Sequence, residues 1–214
     1  INAVKIFNDL RADELVFLDI LASKENRMIS LDFVRKVGEE ANMPFAVGGG
    51  ITELKQIQNI LAAGAEKVII NTHAVVHPDF IKASADDFGS STIVVCIDIK
   101  KNVFGKNRTW INAGTKSTKY NPVELALLMQ EKGAGELIIQ SIEHDGMMNG
   151  YDIELIKKIS DSVNIPVVSL GGAGNLNHIG EICKKVAVSG ISAGSIFIYH
   201  GLRKGILINY PDEN

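Results

Sequence analysis

Two glycine runs and three aspartates carry most of the chemical options of this chain. The runs are PFAVGGGI (Pro44–Ile51) and PVVSLGGAG (Pro166–Gly174), each leading an apolar segment into glycines and then toward a helical pattern. Glycine inside a regular element costs conformational entropy, so glycines at a strand end mark a place where something approaches the bare backbone closely. A single run reads equally well as a tight turn. At a helix start, unpaired backbone N–H groups and the helix dipole favour an anion, phosphate above all. The aspartates are Asp19, Asp98 and Asp145, each at the end of an apolar run or in the loop that follows one. A carboxylate so placed can give and take protons, although an isolated one serves equally well as the cap of a turn.

The elements that would position these groups repeat. Pro44 and Pro166, Gly49 and Gly171, and Gly50 and Gly172 all stand 122 residues apart. The same interval lays ADELVFLDI (Ala12–Ile20) over AGELIIQSI (Ala134–Ile142), LDFV over IELI, and NTHA (Asn71–Ala74) over AGSI (Ala193–Ile196). Such a period is far too long for a solenoid, so the chain reads as two related halves. Apolar runs rich in Val and Ile alternate with amphipathic stretches, the signature of βαβ units. Seven strands are expected: Glu14–Ile20, Phe45–Val47, Lys67–Asn71, Thr92–Asp98, Glu136–Ser141, Pro166–Leu170 and Val188–Gly194. The repeat places the partner of the Asp98 strand ahead of residue 1, with the counterpart of Asp98 roughly 24 residues upstream. Restoring it gives an α/β (βα)8 TIM barrel of two half-barrel repeats, a single domain over residues 1–214 that lacks its N-terminal strand; an open doubly wound sheet is the alternative. The long insert Lys101–Pro122 reads as a loop with a small hairpin.

With 214 residues, 46% hydrophobic and 22% charged, the composition is that of an ordinary soluble α/β chain. A net charge of −3 offers no electrostatic case for nucleic acid. No apolar run is long enough to span a bilayer. Cys96 and Cys183 lack metal-ligand spacing and suit a reduced cytoplasm better than a disulfide framework. Neither a cofactor nor a metal is called for. Both glycine runs belong at the C-terminal face of the barrel, where active sites lie. Two equivalent anion sites at one mouth imply an elongated ligand with a phosphate at each end.

Charges also begin three strands, at the opposite end. Period-2 alternation puts Lys67 on the face of Ile69 and Asn71, Glu136 on that of Ile138 and Gln140, and Glu14 on that of Val16 and Leu18. Any one of them could simply reach solvent. Three facing inward on one ring are explained better by mutual pairing, because unpaired buried charge is costly. Above them Val16, Ala46, Ile69, Val94 and Ile138 would form an apolar lining.

ADELVFLDI, AVGGGI, INTHAV, CIDIK, GAGELIIQSI, HDG…GYD and LGGAG, in this order, resemble the HisF family, the cyclase subunits of imidazole glycerol phosphate synthase, over essentially the whole chain. The resemblance implies a lyase barrel that receives ammonia from a HisH-like glutaminase and adds it to a bisphosphorylated ribulosyl aminoimidazole carboxamide, giving imidazole glycerol phosphate. It implies Gly50, Asn71 and Thr72 for one phosphate and Gly172, Gly194 and Ser195 for the other. Asp98 matches one of two proton-transferring aspartates, with Asp19 and Asp145 in support. Glu14, Lys67 and Glu136 match three members of a charged ammonia gate. Gln140, Glu143 and His144 depart from the histidine-pathway pattern, and the ending FIYHGLRKGILINYPDEN resembles the WbuZ-like branch, which delivers ammonia for amidation of surface-polysaccharide sugars. A non-catalytic glutaminase-binding scaffold and a HisA-like isomerase are the remaining alternatives.

Overall fold

Short Val- and Ile-rich runs become parallel strands when both of their faces can be covered, and this chain supplies helices for one face and a barrel interior for the other. The computed structural model describes residues 2–200 and 205–211. Its main strands are β1 (Leu15–Leu18), β2 (Phe45–Gly48), β3 (Lys67–Ile70), β4 (Ile93–Lys101), β5 (Asn107–Ile111), β6 (Lys116–Ser117), β7 (Glu136–Ser141), β8 (Val167–Leu170) and β9 (Gly190–Ser192). Seven pair in parallel in the order β1-β2-β3-β4-β7-β8-β9 and curl into a partial barrel, with β5 and β6 attached as an antiparallel excursion from β4. Among the described residues, β1 and β9 are not paired with each other.

The helices are α1 (Asn2–Asp9), α2 (Leu31–Gly38), α3 (Leu54–Ala62), α4 (Thr72–Val76), α5 (Pro78–Phe88), α6 (Pro122–Glu131), α7 (Ile153–Ser160), α8 (Leu176–Lys185) and α9 (Ser195–Ile198). Their starts are chemically marked. The side chains of Ser30, Asn121, Asp152 and Asn175 accept hydrogen bonds from backbone N–H groups three residues on, at 3.0 to 3.3 Å. Glu124 closes the box at Asn121 by accepting from its backbone N–H at 3.1 Å.

Strand alternation sorts the core into two layers. Val47, Val68, Ile70, Val95, Ile97, Leu137 and Ile139 pack outward with the helices. Ala46, Ile69, Val94, Cys96 and Ile138 form a separate buried cluster inside the barrel, with Val16, Leu18, Val168 and Leu170 against it.

The repeat is visible in the register. β1 meets β2 at Leu15↔Phe45 and β7 meets β8 at Leu137↔Val167, both members displaced by 122 residues. The next pairing breaks the interval: β2–β3 has Ala46↔Lys67, whereas β8–β9 has Val168↔Gly190, one residue later. α8 holds ten residues where α3 holds nine, which absorbs the extra position. The equivalents of Asn71 and Thr72 are therefore Gly194 and Ser195, and the overlay of NTHA on AGSI is one residue out of step.

A second correction concerns Asp98. β4 does not end there but runs on to Lys101, because β5 continues the ladder on its other side, with Asp98 opposite Trp110 and Lys101 opposite Asn107. The turn between them is fixed by Asn102, whose side-chain oxygen accepts from Phe104 and Lys106 N–H groups, both at 3.0 Å. At the other end of the chain, Tyr199–His200 and Gly205–Ile206 form a two-residue antiparallel pair. Residues 201–204 and 212–214 of the ending read from the sequence lie outside the described residues.

Candidate functional site

At the C-terminal end of the strands, the inner positions of β3, β4 and β7 converge on a cavity of about 190 Å³. Its lining includes Asp19, Gly48, Gly49, Gly50, Asn71, Thr72, His73, Cys96, Asp98, Gln140 and Asp145. All three sequence-predicted carboxylates therefore reach one space, together with the first predicted phosphate set. Gly172, Gly194 and Ser195 do not line it. A neighbouring cleft of about 520 Å³ shares Gly50, Thr72 and His73 and adds Arg27, His77, Asn112 and Lys116.

The carboxylates differ sharply in surroundings. Burial pushes Asp98 up to about 6 and the nearby Asp145 charge adds to the rise, against hydrogen bonds from Cys96 and Asn71. Asp19 moves the other way. A hydrogen bond from Arg27 holds it below the usual carboxylate range, overcoming its desolvation. Arg27 grips it with two nitrogens, the second at 3.2 Å, and its Nε donates to Glu25 at 2.6 Å. Carboxylates whose environments push them apart in this way divide into a proton-exchanging group and a fixed anion.

The residues around Asp98 form a short polar network. Asn71 donates to the Cys96 carbonyl at 3.0 Å, and Gln140 donates to Asp145 at 3.1 Å. The Cys96 sulfur lies 3.7 Å from an Asp98 oxygen and 3.8 Å from the Gln140 amide oxygen. Thr72 donates to Asn71 at 3.1 Å and accepts from the Asn112 N–H at 3.0 Å, tying the β5–β6 excursion to the cavity rim. Asn71 and Gly194 precede α4 and α9 with similar backbone angles, φ −118° and −121°, and neither makes a side-chain cap bond.

The glycine runs first accommodate the chain itself. A Cβ at Gly50 would stand 1.8 Å from the Arg27 carbonyl oxygen, and one at Gly172 would stand 2.1 Å from that of Gly150, both at positive φ. What approaches the bare backbone is the chain's own preceding loop. The glycines shape the rim by letting that loop close over them, so their presence is accounted for before any ligand binds.

His144 is drawn into the same packing: its Nδ1 pairs with the Gly150 carbonyl oxygen at 2.8 Å. It fastens the loop. Arg27 and His73 were missed from sequence. His73 sits against His77 and Phe80, each with ring centroids 4.7 Å away, and burial followed by the His77 charge holds its pKa down. The i, i+4 spacing of His73 and His77 is the signal that could have found the pair, whereas Arg27 lies in a loop without periodicity.

At the opposite end Lys67 donates to Glu14 at 3.2 Å and to Glu136 at 3.0 Å. Burial alone would lower the Lys67 pKa; Glu136 and then Glu14 outweigh it and leave the ammonium raised. The inner apolar cluster separates this ring from Asp98. Among the described residues no group of three His, Cys, Asp or Glu could hold a metal ion, and no helix is long and apolar enough to cross a membrane.

Comparison with known proteins gives the geometry a lineage. The family described as "Histidine biosynthesis protein" matches residues 1–203. A Leptospira borgpetersenii protein provisionally named imidazole glycerol phosphate synthase subunit HisF is 43% identical over 213 residues, covering 99% of this chain and 84% of the relative. The Bacillus cereus (strain AH187) imidazole glycerol phosphate synthase subunit HisF is 42% identical over 199 residues, 93% of this chain and 79% of the relative. The chain therefore belongs to the histidine biosynthesis protein family, on its HisF side.

Proposed function

We propose that this chain is a HisF-type cyclase subunit, a lyase that adds ammonia from a HisH-like glutaminase to a bisphosphorylated ribulosyl aminoimidazole carboxamide and closes the imidazole ring of imidazole glycerol phosphate. The observation that carries the reading is Asp98: a largely desolvated carboxyl pushed up to about 6, lining one cavity with Gly50, Asn71 and Thr72. A group titrating there can both accept and return a proton near neutral pH, as imine formation and ring closure require.

In this reading Asn71 and Thr72 with Gly50 receive one phosphate, and Gly194 and Ser195 with Gly172 receive the other. Asp19, held anionic by Arg27, and Asp145 support the proton traffic. Glutaminase docks at the Lys67 end, where the paired charges admit neutral ammonia to the apolar interior; ammonium would be disfavoured there by desolvation. The reaction takes place in the cytoplasm, and no cofactor enters.

Purified protein supplied with ammonium salt and the bisphosphorylated substrate tests this. Turnover to imidazole glycerol phosphate is the expected result. Substrate binding without turnover would overturn cyclisation in favour of a WbuZ-like ammonia-delivery subunit, and no binding would leave a glutaminase-binding scaffold.

A further inference from the structure

Cys96 and Gln140 sit between the Asp98 and Asp145 carboxylates, and neither has been given a role. Register places Asp98 beside Gln140, with Cys96 two positions below Asp98 on the same face of β4. Gln140 turns its nitrogen to Asp145, an acceptor, at 3.1 Å, so its amide oxygen necessarily faces the Cys96 sulfur at 3.8 Å. The same sulfur is 3.7 Å from Asp98. Cys96 is buried at 3% exposure, and desolvation followed by the Asp98 charge drives its pKa well above the ordinary thiol value. It therefore remains S–H, with one proton and two oxygen acceptors. The donor cannot serve both.

We propose that Cys96 and Gln140 are positioning residues forming a switchable link between Asp98 and Asp145: the thiol donates to Gln140 while Asp98 carries a proton, and swings to Asp98 when that carboxyl ionises. With Asp98 protonated every member is satisfied, since Asp98 O–H faces the sulfur, S–H faces Gln140, and the Gln140 amide faces Asp145. When Asp98 ionises, the charged acceptor takes the thiol proton because a charge-assisted bond is the stronger, and the Gln140 oxygen loses its donor. The competition from Gln140 weakens the thiol's support of ionised Asp98 and so eases its reprotonation after each proton transfer. Other polar groups facing this point are Asn71, which donates to the Cys96 carbonyl and whose amide also bears on the Asp98 carboxyl and the Cys96 thiol, and Asp19, which is engaged by Arg27 across the cavity. This inference rests on the assignment of Asp98 as the proton-transfer group, but the link itself is measurable on the protein alone.

In a Cys183→Ser background, which leaves Cys96 as the one thiol, the Raman S–H stretch is followed against pH while carboxyl 13C signals report Asp98. The band should move to lower frequency as Asp98 ionises, and should not move in Asp98→Asn. Gln140→Met keeps the length of the side chain but offers the thiol no oxygen. Donation to ionised Asp98 then meets no competitor, so the Asp98 midpoint should fall by at least about half a pH unit. An S–H band that stays fixed while Asp98 titrates would overturn the link, as would a midpoint unmoved or raised in Gln140→Met. Because no substrate is present, these outcomes are independent of whether the protein cyclises anything.

Discussion

At the lower end of the barrel interior an ammonium lies between two carboxylates, Glu14 and Glu136, at 3.2 and 3.0 Å from Lys67. At the upper end Asp98 is more fully desolvated and, among the described residues, is met by a thiol, an amide and the Asp145 charge rather than by a cation. Between them lies a layer of Ala46, Ile69, Val94 and Ile138. Strands of one sheet present both regions, and the regions differ in partners as well as in depth. Paired charge holds its ionisation and can serve as structure or filter; unpaired charge yields to desolvation and becomes able to exchange protons near neutrality.

The most severe way to break this contrast is to remove the upper group. Asp98→Asn should lower ammonium-driven turnover by roughly 10²- to 10⁴-fold with a smaller effect on substrate binding, measured as kcat and KM separately. Full activity in that variant would make the upper carboxyl as passive as the lower ones.

The rim offers the next largest effect. Gly50→Ala and Gly172→Ala each drive a methyl group toward a backbone carbonyl at positive φ, whereas Gly105→Ala, also at positive φ, meets open space. The first two should cost about 2–4 kcal/mol in denaturant unfolding and the third about 1 kcal/mol. Equal costs would mean that the rim loops relax freely, and the close approach would lose its meaning.

Removing the lower cation sharpens the contrast from the other side. Lys67→Ala leaves Glu14 and Glu136 facing each other and should destabilise by about 1–2 kcal/mol, between the values for exposed and buried pairs. It should also uncouple glutamine hydrolysis from product formation while sparing the reaction driven by ammonium salt. Losses of equal size with both nitrogen sources would count against a gate. In the native protein the raised Lys67 pKa makes this contribution complete below the unfolded value and lost as pH rises through the folded one, so it fades only in alkaline solution.

A last effect, confined to one pH window, comes from the ionisation of Asp98 itself. Its midpoint of about 6, against 3.8 for the free group, means that the folded protein holds a proton the unfolded chain has released between these values. Stability from this group therefore falls as pH rises through that window. Asp98→Asn should accordingly stabilise the fold at pH 7 by about 1–2 kcal/mol, with no gain near pH 4, as read from paired denaturant titrations. A gain that is independent of pH would show that something other than burial of charge is being relieved.

Much of this arrangement was legible in the amino-acid order. Period-2 alternation alone placed Lys67, Ile69 and Asn71 on one face, and Glu136, Ile138 and Gln140 on another, because side-chain direction along a strand is a local property. The 122-residue interval was there too, and it reappears in the matching registers of β1 on β2 and of β7 on β8. It also singled out Asp98 as a residue at the working end of its strand.

Tertiary structure decided what these groups touch. The sequence left Gly50 and Gly172 with two explanations, an anion or a turn; only the fold brings the Arg27 and Gly150 carbonyls against them. Asp19 owes its fixed charge to Arg27, which arrives from an aperiodic loop. The Asp98 strand continues past its expected end because a second strand, β5, pairs with it and supplies hydrogen-bond partners that composition cannot announce. The Cys96–Gln140 contact joins residues 44 apart. Alternation can say that both point inward, but whether they meet depends on how neighbouring strands are staggered. That stagger is set by helix lengths and loop closures across the whole half-barrel, as the single extra residue in α8 demonstrates by moving Gly194 and Ser195 into the places that a strict repeat would have given to Ala193 and Gly194.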